Sequence, residues 1–131
     1  MKVIHGKAEG STTEHRTSTF TGDVWADPIL PGTDAGGGVT VTLNHVHFLP
    51  GARTNWHTHE YGQVLQVTAG QGWICLEGQE PQVIRQGDTV WIGPNERHWH
   101  GASSDGLMSH IATSIGQTRW EDAVSDADYP G

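Results

Sequence analysis

An all-β barrel or sandwich is the fold class that the sequence predicts. The chain contains 18 Gly and 6 Pro but only 2 Met, a composition typical of many turns and few helices. The stretches between these turns are short and rich in β-branched and aromatic residues, as strands are. At 131 residues the chain is expected to be a single domain, 1–131, with an N-terminal arm at 1–16 and a C-terminal tail at 117–131.

The clearest strand is Val39–Leu49, in which residue types alternate with period two. Phe20–Ala26 predicts an earlier strand that ends at Asp27-Pro28, and Gln63–Thr68 a buried strand that ends in a turn at Ala69–Gly72. Strands are also predicted at Trp73–Leu76, Thr89–Ile92, Arg97–Ala102 and Leu107–Ile115. The tail Trp120–Tyr129 is predicted to be helical, with a cap and turn over Ser125–Asp128 as the alternative.

Charge and composition argue against several function classes. The net charge is −8 and no basic stripe exists, which argues against nucleic-acid binding. No leader-like segment opens the chain and no apolar run approaches the length of a membrane span, so we expect a cytoplasmic protein without a signal peptide. The single Cys75 excludes an internal disulfide framework.

A metal site is indicated by the spacing of polar residues after Pro50. His57 and His59 are two apart, so on a strand both imidazoles face the same side, and Gln63 follows at even spacing. His98 lies downstream as a further candidate. Three neutral imidazoles and one amide oxygen suit a first-row divalent metal. The competing interpretation is that His57 and His59 are solvated residues of a hairpin.

Two spaced motifs resemble those of the cupin superfamily. Gln63 stands where most members have Glu, Gly93 where they have Pro, and Asn95 where they have Gly; Asn tolerates positive φ, so the turn can survive. The resemblance implies a double-stranded β-helix, or jelly-roll, barrel. The motifs are Gly51-x5-His57-x-His59-x3-Gln63-x6-Gly70 and Gly87-x5-Gly93-Pro94-Asn95-x2-His98.

The second His-x-His pair, His45 and His47, is a less favoured metal site. Alignment to the cupin pattern implies that the even-numbered residues of Val39–Leu49 face the barrel interior. His45 and His47 then lie on the outer face or in a subunit contact.

The chain is further similar to a group of small bacterial cupins that includes the manganese-dependent hydroxynitrile lyases. That resemblance implies one divalent metal, Mn favoured over Fe, Zn, Ni or Co, held by His57, His59, Gln63 and His98. It also implies pocket residues that include the candidate catalytic groups Thr54, His100 and His110, pocket walls at Asn44, Val46 and Ser114, and a homodimer or higher homo-oligomer. No residue is assigned to an organic cofactor.

Three functions remain open from the sequence. The first is a metal-dependent lyase acting on a small hydroxy or carbonyl compound, in which His100 or His110 moves the proton and Thr54 offers a hydroxyl. The second is an Fe- or Mn-dependent dioxygenase of a small organic substrate. The third is a non-catalytic cupin that binds a small molecule; the chain has no helix-turn-helix pattern for a DNA-binding regulator.

Overall fold

The computed structural model describes residues 1–131 and contains twelve β-strands and no α-helix, which confirms the all-β class. The strands are β1 (Glu14–Arg16), β2 (Phe20–Thr21), β3 (Val24–Asp34), β4 (Thr40–Phe48), β5 (Arg53–Thr54), β6 (His57–His59), β7 (Gln63–Leu76), β8 (Gln82–Arg85), β9 (Thr89–Ile92), β10 (His98–Ala102), β11 (Met108–Ile115) and β12 (Thr118–Trp120).

Two antiparallel sheets share the long strand β7. The first half of β7 lies between β11 and β9, and β11 continues to β4, β3 and β1. The second half lies between β8 and β10, and β10 pairs with β5 and β6, which pair with β2 and β12. A strand that passes from one sheet into the other closes the barrel at that corner.

The turn predicted at Ala69–Gly72 is wrong, because β7 runs through it without reversing. Gly70 has a φ of +72° and packs against the carbonyl of Leu107, while Gly72 packs against the carbonyl of Gly101. These glycines allow a bend and a close approach between strands, which any Cβ would prevent.

The predicted strand end at Asp27-Pro28 is also wrong, because β3 continues to Asp34. Pro28 falls at an irregularity where the register between β3 and β4 shifts. Proline lacks an N–H donor and is tolerated in a sheet at such bulges.

The prediction that Asn95 adopts a positive φ in the turn is confirmed. Asn95 is the one non-glycine residue with positive φ, 59°.

The core fills the space between the sheets. Phe48, Leu65 and Met108 are fully buried there. The even-numbered residues of β4 face inward, as predicted. A smaller cluster formed by Cys75, Trp99 and Val124 lies beneath the C-terminal tail.

The helical prediction for the C-terminal tail is wrong. The tail begins with β12, which pairs with β6, and then follows the barrel in extended form. The backbone N–H of Trp56 donates to Asp122, and that of Glu121 donates to the carbonyl of Trp56. These bonds satisfy backbone groups that a helix would have paired internally. Only Ser125–Asp128 turns, and Ser125 Oγ accepts the N–H of Asp128, which matches the alternative prediction.

The N-terminal arm contributes one short strand, since β1 pairs with the start of β3. Upstream, the N–H of Ala8 donates to the carbonyl of Pro28, which holds the arm against β3. No helix in the structure combines the length and the apolar character required to cross a membrane.

Candidate metal centre

Strands β6 and β10 and the start of β7 bring the candidate ligands together. His57 and His59 lie on the inner face of β6, and His57 pairs in register with His98 on β10. Gln63 is the first residue of β7. All four side chains are buried. The strand alternation therefore places the predicted ligand set in one enclosed region.

The imidazoles form a compact group. The ring centroids of His57 and His98 are 4.2 Å apart, and His59 lies 5.0 Å from His57 and 5.5 Å from His98. The ligating atoms of His57, His98 and His100 all lie within 4.8 Å of one another, whereas His59 is not part of this group. The sequence predicted a proton-transfer role for His100 and not a ligand role, but the structure places its ring nitrogen among the potential ligand atoms.

Backbone carbonyls fix the tautomers of two of the candidate ligand imidazoles. His57 Nδ1 lies 2.8 Å from the carbonyl oxygen of Asn55, and His98 Nδ1 lies 2.8 Å from that of Glu96. A carbonyl can only accept, so both Nδ1 atoms carry the proton and both Nε2 atoms keep a free lone pair. His59 Nδ1 lies 3.0 Å from Thr118 Oγ1, and its buried Nε2 has no partner. Metal-binding histidines are oriented in this way.

The arrangement of Gln63 fits a cation. Its Nε2 donates to Ser114 Oγ over 3.1 Å, which turns Oε1 toward His98 Nε2 at 3.3 Å. Two lone-pair acceptors then face each other, an arrangement that a positive ion between them would relieve. None of the four candidate ligands is a carboxylate, so the ligands themselves would neutralise none of the charge of a bound ion.

Burial keeps the ligand histidines neutral. Desolvation, followed by the nearby His98, lowers the pKa of His59 to about 4 and holds the pKa of His57 well below its usual range. Desolvation also lowers the pKa of His98. Neutral imidazoles at pH 7 are the form that binds metals, and their low pKa values reduce competition from protons.

A second imidazole pair borders the ligand cluster. His110 Nε2 lies 3.0 Å from His100 Nδ1, and the His100 and His57 rings are 5.3 Å apart. Burial lowers the pKa of His110 to about 3 and that of His100 to well below its ordinary value. Thr54 is buried as well, and its Oγ1 accepts the backbone N–H of His100 over 3.2 Å. The structure thus brings all three candidate catalytic residues beside the candidate ligands.

The site opens into a cavity with about 570 Å³ of empty space, its open mouth included. The predicted walls Asn44, Val46 and Ser114 line it. Two aromatic rings that the sequence did not predict at the site, those of Trp120 and Phe20, also line the cavity. The ring centroid of Trp120 lies 4.5 Å from that of His57, and the ring centroid of Phe20 lies 5.9 Å from that of Trp120. Arg16, which the sequence placed only in the arm, lines the cavity too.

His45 and His47 lie on the outer face of β4, as predicted. His45 Nε2 contacts Thr68 Oγ1 at 2.8 Å, and His47 Nε2 contacts Asp27 Oδ2 at 3.1 Å. They join no group of three close metal-ligating side chains, since the one such group is that of His57, His98 and His100.

Comparison with known proteins identifies the family. A cupin domain model matches residues 44–113. The (R)-mandelonitrile lyase of Granulicella tundricola is 44% identical over 117 residues, which cover 84% of this chain and 85% of that protein. A cupin-like protein from Thermotoga maritima superposes with a TM-score of 0.81 at 36% identity, covering 94% of this chain and 95% of that chain.

A more distant neighbour shares the fold alone. The polyketide cyclase RemF from Streptomyces resistomycificus superposes with a TM-score of 0.72 at 15% identity, covering 98% of this chain and 89% of that chain. The family model and the relatives agree with the barrel described above. The chain belongs to the cupin family.

Proposed function

We propose that this cupin is a metal-dependent lyase that cleaves or forms the carbon–carbon bond of a small cyanohydrin. The observation that carries the proposal is the juxtaposition, in one cavity, of the candidate ligands His57, His59 and Gln63 with the buried His100–His110 pair. The fourth candidate, His98, packs against His57. The mandelonitrile lyase relative, 44% identical over most of both chains, supports the reaction class.

His57, His59, Gln63 and His98 are the proposed metal ligands. His100 approaches as closely, but its Nδ1 contacts His110 and not a fixed carbonyl acceptor, so we assign it to proton transfer. A bound divalent ion, with Mn favoured by the resemblance, would polarise a hydroxyl or carbonyl oxygen. The uncharged ligand set leaves that ion more electron-poor than a set containing Glu would.

The His100–His110 pair is proposed to accept the proton of the substrate hydroxyl and to return it to cyanide. Cleavage of a cyanohydrin breaks the bond to the nitrile carbon, whose electron pair leaves with cyanide, while the hydroxyl loses its proton and becomes a carbonyl. His100 uses the ring nitrogen that does not contact His110 to accept that proton, and the 3.0 Å contact shares the resulting charge with His110. The proton then passes to cyanide, so the products are an aldehyde and hydrogen cyanide.

Two features of the chain support this role for His100. The hydrogen bond that the backbone N–H of His100 donates to Thr54 Oγ1 fixes the backbone from which the imidazole projects. The Phe48 ring packs against the pair and limits access of water. Its centroid lies 5.8 Å from the ring centroid of His100 and 5.2 Å from that of His110. The pair is therefore neutral before substrate binds and can accept one proton.

The test is aldehyde release from (R)-mandelonitrile and smaller cyanohydrins by purified protein, by chelator-stripped protein, and by protein reloaded with Mn, Fe, Co, Ni or Zn. We expect loss of turnover on stripping and recovery with one of these metals. His100→Ala and His110→Ala should each lower kcat by about 100-fold or more. His45→Ala, on the outer face of β4, is the matched control and should retain activity.

Full turnover without metal, or unchanged kcat in His100→Ala, would overturn the proposal. Oxygen consumption is measured in the same samples with phenols and diketones. Uptake under Fe loading, with no cyanohydrin cleavage, would favour the dioxygenase alternative.

A further inference from the structure

We propose that the cavity takes a hydroxy or carbonyl compound that also carries a carboxylate, and that Arg16 binds this carboxylate. The inference rests on the proposed function for the reacting end of the substrate and adds the chemistry of the other end. It starts from a residue outside both cupin motifs.

Arg16 is the last residue of β1, and the pairing of β1 with β3 sets it opposite Val24. Its side chain lines the cavity that holds His59 and His110, and about 34% of that side chain is exposed. His110, by contrast, is fully buried. Arg16 therefore lies on the solvent side of the cavity, and the histidines lie at its interior end.

Arg16 is the only permanently charged side chain that lines this cavity. The other lining residues have aromatic, aliphatic, hydroxyl, amide or imidazole side chains. The whole chain has a net charge of −8. A cation in the wall of the cavity thus gives local attraction for an anion that the rest of the surface repels.

The guanidinium of Arg16 has unused hydrogen-bonding capacity. Its Nε is buried and has no partner, which costs free energy unless a ligand supplies an acceptor. Its Nη2 lies 3.0 Å from Glu14 Oε1, but this pair is partly exposed, so a ligand can displace it easily. A carboxylate that displaces Glu14 can accept two parallel N–H bonds from the guanidinium, which an uncharged aryl group cannot do.

Equilibrium binding of two matched aldehydes tests the inference without requiring turnover. The probes are para-formylbenzoate and para-formylbenzamide, which differ only in the charged group, and their Kd values are measured by calorimetry with and without bound metal. We expect the carboxylate to bind the natural protein about tenfold tighter than the amide, the gain typical of a charge-assisted hydrogen bond. The preference should decrease as salt is added.

Arg16→Met should abolish the preference, and Arg16→Lys should retain part of it. Arg119→Met is the matched control: Arg119 lies on β12 between two cavity residues, points away from the cavity, and should keep the preference of the natural protein. Thermal unfolding establishes that each variant is folded; Arg16 hydrogen-bonds only to Glu14 through its side chain.

Three outcomes would overturn the inference: equal Kd values for the two probes in the natural protein, a preference that survives in Arg16→Met, or a preference that disappears on metal removal alone. Absence of lyase turnover would contradict the proposed function but would leave the Kd ratio unaffected. The two failures are therefore distinguishable.

Discussion

Acidification is expected to destabilise the metal-free protein as soon as the pH falls below about 6.5. Five buried histidines, His57, His59, His98, His100 and His110, have pKa values lowered by burial. An unfolded chain binds protons at these side chains below their ordinary pKa of 6.5, but the folded chain resists protonation until the pH is much lower. The unfolded state then holds more protons, so stability is complete above this pH and decreases below it.

The pKa shift of His59 gives the size of the expected loss of stability. Its pKa decreases from 6.5 to about 4 on folding, which corresponds to about 3 kcal/mol lost once the pH passes below the folded value. The other four histidines shift in the same direction and add to the loss. A domain of this size has a free energy of unfolding of about 5–15 kcal/mol, so this one group is a large fraction of it.

The assay is urea unfolding with a chelator present at a series of pH values. Between pH 6.5 and pH 4 the free energy of unfolding should fall by up to about 1.4 kcal/mol per pH unit for each group that titrates. His59→Gln should have a smaller slope, and His5→Gln, at an exposed position, serves as control. A free energy of unfolding that stays constant between about pH 7 and pH 5 would refute the reasoning.

Two further variants test the support around the site and the bend in β7. Thr118→Val removes the partner of His59 Nδ1, and metal affinity should fall by about 10- to 100-fold, measured by competition with a chelator; unchanged affinity would show that this contact does not orient the imidazole. Gly72→Ala directs a Cβ into the carbonyl of Gly101 and should cost about 1–3 kcal/mol in urea unfolding, whereas Gly106→Ala, with open space around it, should cost less. Equal losses in the two glycine variants would contradict the packing argument.

The candidate site was largely predictable because its information is local. His57 and His59 share a strand face by simple alternation, and β4 alternates in the same way. The resemblance to cupins, and not the alternation, predicted which face of β4 points inward. The motif spacing supplied His98. The Asn95 turn followed from the tolerance of asparagine for positive φ, and the structure confirms it.

The errors came from pairings between residues far apart in sequence. Gly70 and Gly72 are residues typical of a turn. In the structure glycine is required at both positions because strands β11 and β10 pack too closely against them for a side chain. The tail has apolar residues that a helix could bury, yet its backbone finds partners at Trp56. Arg16 was missed because only the pairing of β1 with β3 brings it to the cavity. No single-sequence pattern encodes these contacts.

Metal content of the protein as purified, and of His57→Ala, tests the central claim most directly. Elemental analysis should find about one equivalent of a divalent transition metal in the natural chain, because we propose that the buried side chains of His57, His59, Gln63 and His98 are its ligands. His57→Ala should lose most of that metal, while His45→Ala should retain it. A full equivalent in His57→Ala, or no metal in the natural protein after incubation in metal-rich buffer, would contradict the account.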